Sequence, residues 1–146
     1  MRLTSSSPSE TEEIGQRLGK VLKAGDVVCL YGDLGAGKTT LVKGIASSFG
    51  ICSRDVTSAS FTVIAEYPVD PPFYHIDLYR IGSLDDLEST GLLDIIGGDG
   101  VSVIEWSENL GNEYKKNVIK VFMKESGVVI REIVIEGIDE KNWNNL

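Results

Sequence analysis

Apolar positions in the first third of the chain change from a helical to an extended spacing and back again. Four of them recur at helical spacing and predict a first helix: Ile14, Leu18, Val21 and Leu22. The spacing Ser9-x-x-Glu12 is typical of a capping box and predicts that this helix begins there. The continuous apolar run 27–31 predicts a buried strand. A second helical pattern begins at Thr39 and ends near Gly50.

The rest of the chain combines further strand patterns with one helical region. Five strands are predicted there, at residues 61–67, 73–79, 101–105, 118–124 and 128–136. A helical segment is predicted between residues 83 and 96, and the last two strands, which meet around Ser126-Gly127, predict a hairpin. We therefore predict one α/β domain, residues 1–146, with a mostly parallel sheet, antiparallel additions and a C-terminal hairpin.

Composition and charge narrow the classes of protein that this chain can be. With 42% hydrophobic and 25% charged residues, the 146-residue chain is typical of a soluble globular protein. Its formal net charge of −8 argues against a protein that grips bare nucleic acid over a broad surface. The longest apolar run is far too short for a membrane span, and the N-terminus lacks the apolar core of a signal peptide. We therefore expect a cytoplasmic protein without membrane contact. The single histidine, His75, excludes a structural zinc site built from a Cys/His cluster.

A glycine-rich segment between the first predicted strand and the second predicted helix carries the phosphate-binding pattern G-x-x-x-x-G-K-[ST]. It consists of Gly32, Asp33, Leu34, Gly35, Ala36, Gly37, Lys38 and Thr39. Glycines let such a loop turn its N–H groups towards phosphate oxygens, and the following helix adds the positive end of its dipole. Lys38 supplies a cation for the outer phosphates, and the Thr39 hydroxyl is a ligand for Mg²⁺.

Two predicted strands end in a carboxylate, as the metal site of such an enzyme requires. Glu105 follows an apolar strand and is the preferred metal ligand, and Asp77 ends the strand before it. His75 lies two residues before Asp77 and so on the same strand face, although a lone histidine is more often structural than functional. Trp106, directly after Glu105, either packs in the core or lines a ligand surface.

The nucleotide and the reaction are less sharply defined by the sequence. The N/T-K-x-D pattern that reads guanine in Ras-like proteins is absent, which favours adenine. The five arginines are scattered and form no basic lid of the kind that kinases of small molecules use: Arg2, Arg17, Arg54, Arg80 and Arg131. A slow ATPase that a partner completes is therefore preferred. A small-molecule kinase, or a non-hydrolysing switch that orders residues 57–61, remains the alternative.

Four segments together resemble the bacterial TsaE (YjeE) family of P-loop ATPases. They read GDLGAGKTTL at 32–41, VTSASFT at 56–62, HIDLYR at 75–80 and IEWSE at 104–108. The family usually has S-P-T-F where this chain has Ser58-Ala59-Ser60-Phe61. The resemblance implies the three-layer sandwich of P-loop NTPases. It also implies a magnesium-dependent ATP hydrolase, weak alone, that supports the partner proteins TsaB and TsaD in threonylcarbamoyl transfer to a tRNA adenosine next to the anticodon.

The resemblance also implies roles for individual residues, with ATP or ADP and Mg²⁺ as cofactors. Lys38, Asp77 and Glu105 would be catalytic, and Thr39 and Glu105 would bind Mg²⁺. The nucleotide would be bound by Thr11, Gly32, Asp33, Leu34, Gly35, Ala36, Gly37, Lys38, Thr39, Thr40, Asp77, Trp106 and Arg131. In this set Asp77 would place the attacking water or the γ-phosphate, and Thr11 and Arg131 would close over the base. The chain would be a monomer alone and would meet tRNA only indirectly.

Overall fold

The computed structural model describes residues 1–33, 35–56, 63–111, 114 and 117–146. Two predictions lie outside these residues, namely the nucleotide contact of Leu34 and the switch segment 57–61. The beginning of the strand predicted at 61–67 lies outside them as well.

A mixed sheet crosses the described part of the chain in the order β1-β7-β6-β2-β5-β4-β3. Its strands are β1 (Arg2–Ser5), β2 (Val27–Tyr31), β3 (Ile64–Tyr67), β4 (Phe73–Asp77), β5 (Val101–Glu105), β6 (Ile119–Glu125) and β7 (Arg131–Glu136). The four central strands β6, β2, β5 and β4 are parallel, and β1, β7 and β3 add antiparallel pairs at the two sides. The predicted α/β sheet with antiparallel additions and a closing hairpin, β6–β7, is confirmed.

Helices cover both faces of this sheet. They are α1 (Pro8–Val21), α2 (Lys38–Ser47), α3 (Leu84–Ser89), α4 (Leu92–Ile95) and α5 (Glu140–Asn144), with short 3₁₀ turns at Ser53–Asp55 and Ser107–Asn109. Val28 of β2 packs into one core cluster with residues of α1 and α2, whereas Cys29 packs into a second cluster with Leu87 of α3 and Leu92 of α4. Successive strand residues therefore face opposite layers, which gives three layers. None of the described helices is long and apolar enough to cross a membrane.

Helix α1 begins two residues earlier than the predicted capping box. Its N-cap is Ser7, whose hydroxyl accepts a hydrogen bond from the Glu10 amide at 3.1 Å, while the Glu10 carboxylate accepts one from the Ser6 amide at 2.6 Å. Pro8 occupies the first helical position, where its fixed φ and missing N–H cost nothing. The prediction of Ser9 as the cap is wrong because this proline sets the start of the helix.

Two elements at the ends of the chain were not predicted. Strand β1 pairs with β7 so that Leu3 faces Ile133, and α5 places Trp143 in the core at 3% exposure. The Arg17 guanidinium lies 4.4 Å above the Trp143 ring, which ties α5 to α1. Both elements depend on contacts with residues far away in the sequence, so local patterns do not reveal them.

Glycines bring α1 and α2 into close contact. A Cβ added at Gly44 of α2 would collide with the Glu12 carbonyl oxygen of α1, and one added at Gly15 would collide with the Leu41 carbonyl oxygen. Only glycine lets the two backbones approach this closely. Because α2 begins directly at the phosphate-binding motif, this contact fixes the position of the motif against the rest of the fold.

We predict that Gly44→Ala lowers the free energy of unfolding by about 1–3 kcal/mol, because the added methyl group forces the two helices apart. Chemical denaturation followed by circular dichroism measures this change. Gly82→Ala is the matched control, since a Cβ at Gly82 meets nothing within 4 Å. Equal stability of the two variants would contradict the packing described here.

Candidate functional site

A cleft of about 520 Å³ opens at the carboxyl ends of the parallel strands β2, β4 and β5. This edge of an open α/β sheet is where such folds bind their ligands. The described residues that line the cleft are Pro8, Thr11, Gly35, Gly37, Lys38, Thr39, Thr40, Asp77, Glu105, Trp106, Val128, Val129 and Arg131. Segments that are far apart in the sequence therefore meet at one site.

The end of the glycine-rich loop leads directly into α2. Gly37 is the N-cap of the helix and has a φ of 96°, a left-handed conformation that favours glycine. Lys38 is the first helical residue, and Thr39 and Thr40 follow it on the wall of the cleft. The unpaired N–H groups of the first helical turn thus lie beside the cleft, and this is the standard arrangement for binding a phosphate group.

The Lys38 side chain is held at the bottom of the cleft and is only 6% exposed. Its ammonium group donates a hydrogen bond to the Gly32 carbonyl oxygen at 2.6 Å and lies 4.1 Å from the centre of the Trp106 ring. Trp106 has a φ of 57°, which is uncommon for a residue with a large side chain. The centre of its ring lies 4.9 Å from the centre of the Tyr79 ring. Such strain is concentrated at functional sites, and here it places an aromatic face over the cation.

Two buried carboxylates line the same cleft as this cation. Asp77 and Glu105 are register partners on β4 and β5, and they are 4% and 5% exposed. Asp77 Oδ1 accepts a hydrogen bond from the Tyr79 amide at 2.9 Å. Glu105 Oε2 is hydrogen-bonded to His75 Nε2 at 2.5 Å. Buried ionised carboxylates require partners of this kind, so their position is specified by the fold.

The Tyr31 side chain at the end of β2, just before the loop, stays neutral. Its ring stacks on Phe122 at 4.9 Å. Burial, and after it the nearby Cys29 and Glu108, raise the pKa of Tyr31 to about 12. The strand that carries the glycine-rich loop therefore adds no phenolate charge close to a phosphate site.

The β6–β7 hairpin turn forms the opposite rim of the cleft through Arg131. The Arg131 Nη1 donates to the carbonyl oxygens of Gly127, Val128 and Ile130 at 3.1–3.4 Å. Its Nη2 donates to the Gly35 carbonyl oxygen at 3.3 Å and lies 3.6 Å from the Glu125 carboxylate. One guanidinium group therefore joins the hairpin turn to the glycine-rich loop.

The structure brings most of the predicted site residues to this cleft. Thr11 lies in the wall, 3% exposed, and its hydroxyl is hydrogen-bonded to Ser5 at 2.7 Å. Three predicted nucleotide contacts are not among the lining residues. Asp33 is exposed, Ala36 is packed in the core, and Gly32 acts through its carbonyl oxygen on Lys38.

Sequence reasoning missed three lining residues and one partner. Pro8, Val128 and Val129 line the cleft, but they belong to no motif, and Val128 is 95% exposed. The contact between His75 and Glu105 spans 30 positions. The only sequence signal for it was the strand period, which puts His75 and Asp77 on one face.

The residues present fit a magnesium ion that is held together with a nucleotide. Among the described residues, no group of three or more His, Cys, Asp or Glu side chains could hold a metal ion alone. Mg²⁺ in nucleotide sites usually takes one or two carboxylates, phosphate oxygens and water. The Thr39 hydroxyl, the Glu105 carboxylate and Asp77 supply protein oxygens of this type in the cleft.

Comparisons with known proteins agree with this geometry. The family model "Threonylcarbamoyl adenosine biosynthesis protein TsaE" matches residues 5–133. The tRNA threonylcarbamoyladenosine biosynthesis protein TsaE of Treponema pallidum is 38% identical over 135 residues, which cover 92% of this chain and 99% of that protein. The protein of the same name from Bacillus subtilis is 38% identical over 136 residues, which cover 92% of this chain and 84% of that protein.

A solved structure shares the fold as well. The crystal structure of YdiB from Bacillus subtilis superposes with a TM-score of 0.75 at 33% sequence identity. The superposition covers 97% of this chain and 88% of that one. The predicted fold of P-loop NTPases is confirmed by this likeness.

We predict that Arg131→Ala frees the hairpin turn from the glycine-rich loop. The Ser126 amide, which donates to the Ile130 carbonyl oxygen at 3.0 Å, should then exchange its hydrogen roughly tenfold faster, the equivalent of one lost hydrogen bond. Hydrogen–deuterium exchange read by NMR measures the rate. Lys124→Ala, at an exposed position of the same hairpin, is the control. Unchanged exchange in Arg131→Ala would show that the arginine does not hold the turn.

Proposed function

Because the chain belongs to the TsaE family of threonylcarbamoyl adenosine biosynthesis proteins, we propose that it is a magnesium-dependent ATPase. Its hydrolysis of ATP supports the TsaB–TsaD complex, which transfers the threonylcarbamoyl group to a tRNA adenosine next to the anticodon. One observation carries the proposal. A buried lysine at the start of α2 and two buried carboxylates at the ends of β4 and β5 line the same cleft.

The loop and the start of α2 bind the triphosphate. Main-chain N–H groups around Gly35 and Gly37 and the dipole of α2 meet phosphate oxygens. Lys38 would turn from the Gly32 carbonyl oxygen towards the β- and γ-phosphates by a rotation of its flexible side chain. Trp106 stays beside the ammonium group and the nucleotide.

Glu105 and Thr39 would hold the metal ion, and Asp77 would orient the water that attacks. The ion would supply positive charge to the phosphate oxygens during phosphoryl transfer. The Thr39 hydroxyl on α2 and the Glu105 carboxylate on β5 both line the cleft. Asp77 keeps its orientation through the Tyr79 amide and accepts a hydrogen bond from the attacking water.

Hydrolysis by the isolated chain is slow, because the cleft offers little positive charge for the transition state. Arg131 is the arginine among the described lining residues, and its guanidinium is engaged by carbonyl oxygens of the hairpin turn and of Gly35. Phosphoryl transfer by P-loop proteins gains roughly 10³–10⁵ in rate from an arginine that reaches the γ-phosphate. A partner that completes or rearranges the cleft accounts for such a gain.

An indirect role towards tRNA fits the charge of the chain. Its net charge is −8, with 22 acidic and 14 basic residues. Counting only charge, a protein of this kind repels a polyanion and gains no affinity from counterion release. The ATPase therefore works on the modification machinery through proteins rather than by holding the tRNA itself.

We predict that Lys38→Ala weakens binding of a non-cleavable ATP analogue roughly 10- to 100-fold, the loss of one charge-assisted hydrogen bond to phosphate. Phosphate release from ATP falls to background. Titration calorimetry and a phosphate assay give the two values. Lys43→Ala, five positions further along α2 and outside the cleft, serves as the control and should behave like the wild-type protein. Full activity in Lys38→Ala with a matched circular dichroism spectrum refutes the proposal.

We also predict that TsaB and TsaD together raise ATP turnover by at least roughly tenfold, because they complete the cleft. Glu105→Gln, which keeps the size of the side chain but removes its charge, should lose both basal and stimulated turnover. The phosphate assay is run with and without the two partners and without added metabolite. A requirement for a small-molecule acceptor would favour a kinase instead, and binding without turnover under all conditions would favour a nucleotide switch.

A further inference from the structure

His75 is a buried polar residue that the proposed reaction does not use directly. It lies on β4 between Ala65 of β3 and Val103 of β5 and is fully buried. Its Nε2 lies 2.5 Å from Glu105 Oε2, a short hydrogen bond between a ring nitrogen and a carboxylate. His75 itself is not among the described residues that line the cleft.

The hydrogen bond between His75 and Glu105 runs diagonally across the sheet. The register partner of Glu105 is Asp77, whereas His75 lies two positions earlier on the same face of β4. An ionised carboxylate only accepts hydrogen bonds, so His75 Nε2 is the donor. The bond takes one lone pair of Oε2, so the carboxylate keeps Oε1 for a cation in the cleft.

We propose that His75 is a positioning residue that fixes the Glu105 carboxylate for the magnesium ion of the bound nucleotide. By holding Oε2, it fixes the orientation of the Glu105 carboxylate, which lines the cleft. Carboxylates that bind metals depend on such second contacts for their orientation. The inference rests on the proposed function, because it assigns Glu105 to the metal.

A purely structural role explains His75 less well. Apart from the two carboxylates, its neighbours on this face are apolar, since Phe73 and Val103 belong to the same buried core. An apolar side chain would fill this place without any polar atom to satisfy. His75 Nδ1, by contrast, is buried without a hydrogen-bond partner among the described residues. A buried atom without a partner is unfavourable, so the histidine at this position is explained by its other nitrogen, which contacts Glu105.

Two variants separate positioning from packing. His75→Leu fills a similar volume and removes the donor, whereas His75→Gln places an amide N–H₂ near the position of Nε2. Binding of a non-cleavable ATP analogue is measured by calorimetry in EDTA and at increasing Mg²⁺, so the readout does not depend on turnover. We expect affinity in EDTA within about twofold of wild type for both variants. The Mg²⁺ concentration that gives half of the gain in affinity should rise roughly 10- to 100-fold in His75→Leu. In His75→Gln this Mg²⁺ concentration should be close to that of the wild-type protein.

A double-mutant cycle with Glu105→Gln tests whether His75 acts through Glu105. If it does, His75→Leu causes no further loss of magnesium dependence once Glu105 is replaced. Additive losses, or a His75→Leu variant that loses affinity equally in EDTA and in Mg²⁺, would overturn the proposal and leave a packing role. If His75→Leu does not fold, His75→Ala takes its place as the variant without a donor. The proposal is then overturned if His75→Gln has the same unfolding midpoint and the same Mg²⁺ dependence as His75→Ala. A wild-type protein that binds the analogue identically with and without Mg²⁺ would instead refute the metal role of Glu105.

Discussion

Burial of three charged groups in one cleft is the constraint on which the rest of this structure depends. Lys38, Asp77 and Glu105 are each at most 6% exposed, and an ionised group in such a place is unstable without a partner. The fold provides one for each, namely the Gly32 carbonyl oxygen, the Tyr79 amide and the His75 ring. Such partners hold the charges in place while leaving them the capacity to bind a ligand that carries charges of its own.

The glycine-rich loop is also held in a fixed position, by contacts on two sides. The loop is anchored at its end by α2, whose backbone is locked against α1 through Gly15 and Gly44. From the other side, Arg131 ties the loop to the hairpin turn through the Gly35 carbonyl oxygen. A phosphate site made of main-chain N–H groups depends on backbone placement, so rigid packing contributes to binding as directly as any side chain does.

The sequence allowed the elements with local signals to be predicted. Strands β2 and β5 were predicted at their observed bounds, because β2 is a continuous apolar run and β5 is apolar except for Ser102 and its last residue, Glu105. Strand β1 and helix α5 were missed because pairing with β7 and docking of Trp143 define them. At the site, most of the described motif residues line one cleft, whereas Gly32, Asp33 and Ala36 do not. Val128 and Val129 were not predicted as site residues, because the sequence of an apolar turn beside a ligand site does not differ from that of other turns.

Charge within the cleft argues that, in the proposed function, the metal ion matters more than the side chains for holding ATP. Lys38 and Arg131 carry two positive charges and Asp77 and Glu105 two negative ones, so the described charged residues of the lining sum to zero. A triphosphate brings several negative charges into this neutral site. Amide dipoles offset part of them, and Mg²⁺ is the remaining source of positive charge. In that proposal the orientation of the carboxylate that receives this ion decides affinity, and the fully buried His75 would act on affinity through its hydrogen bond to Glu105.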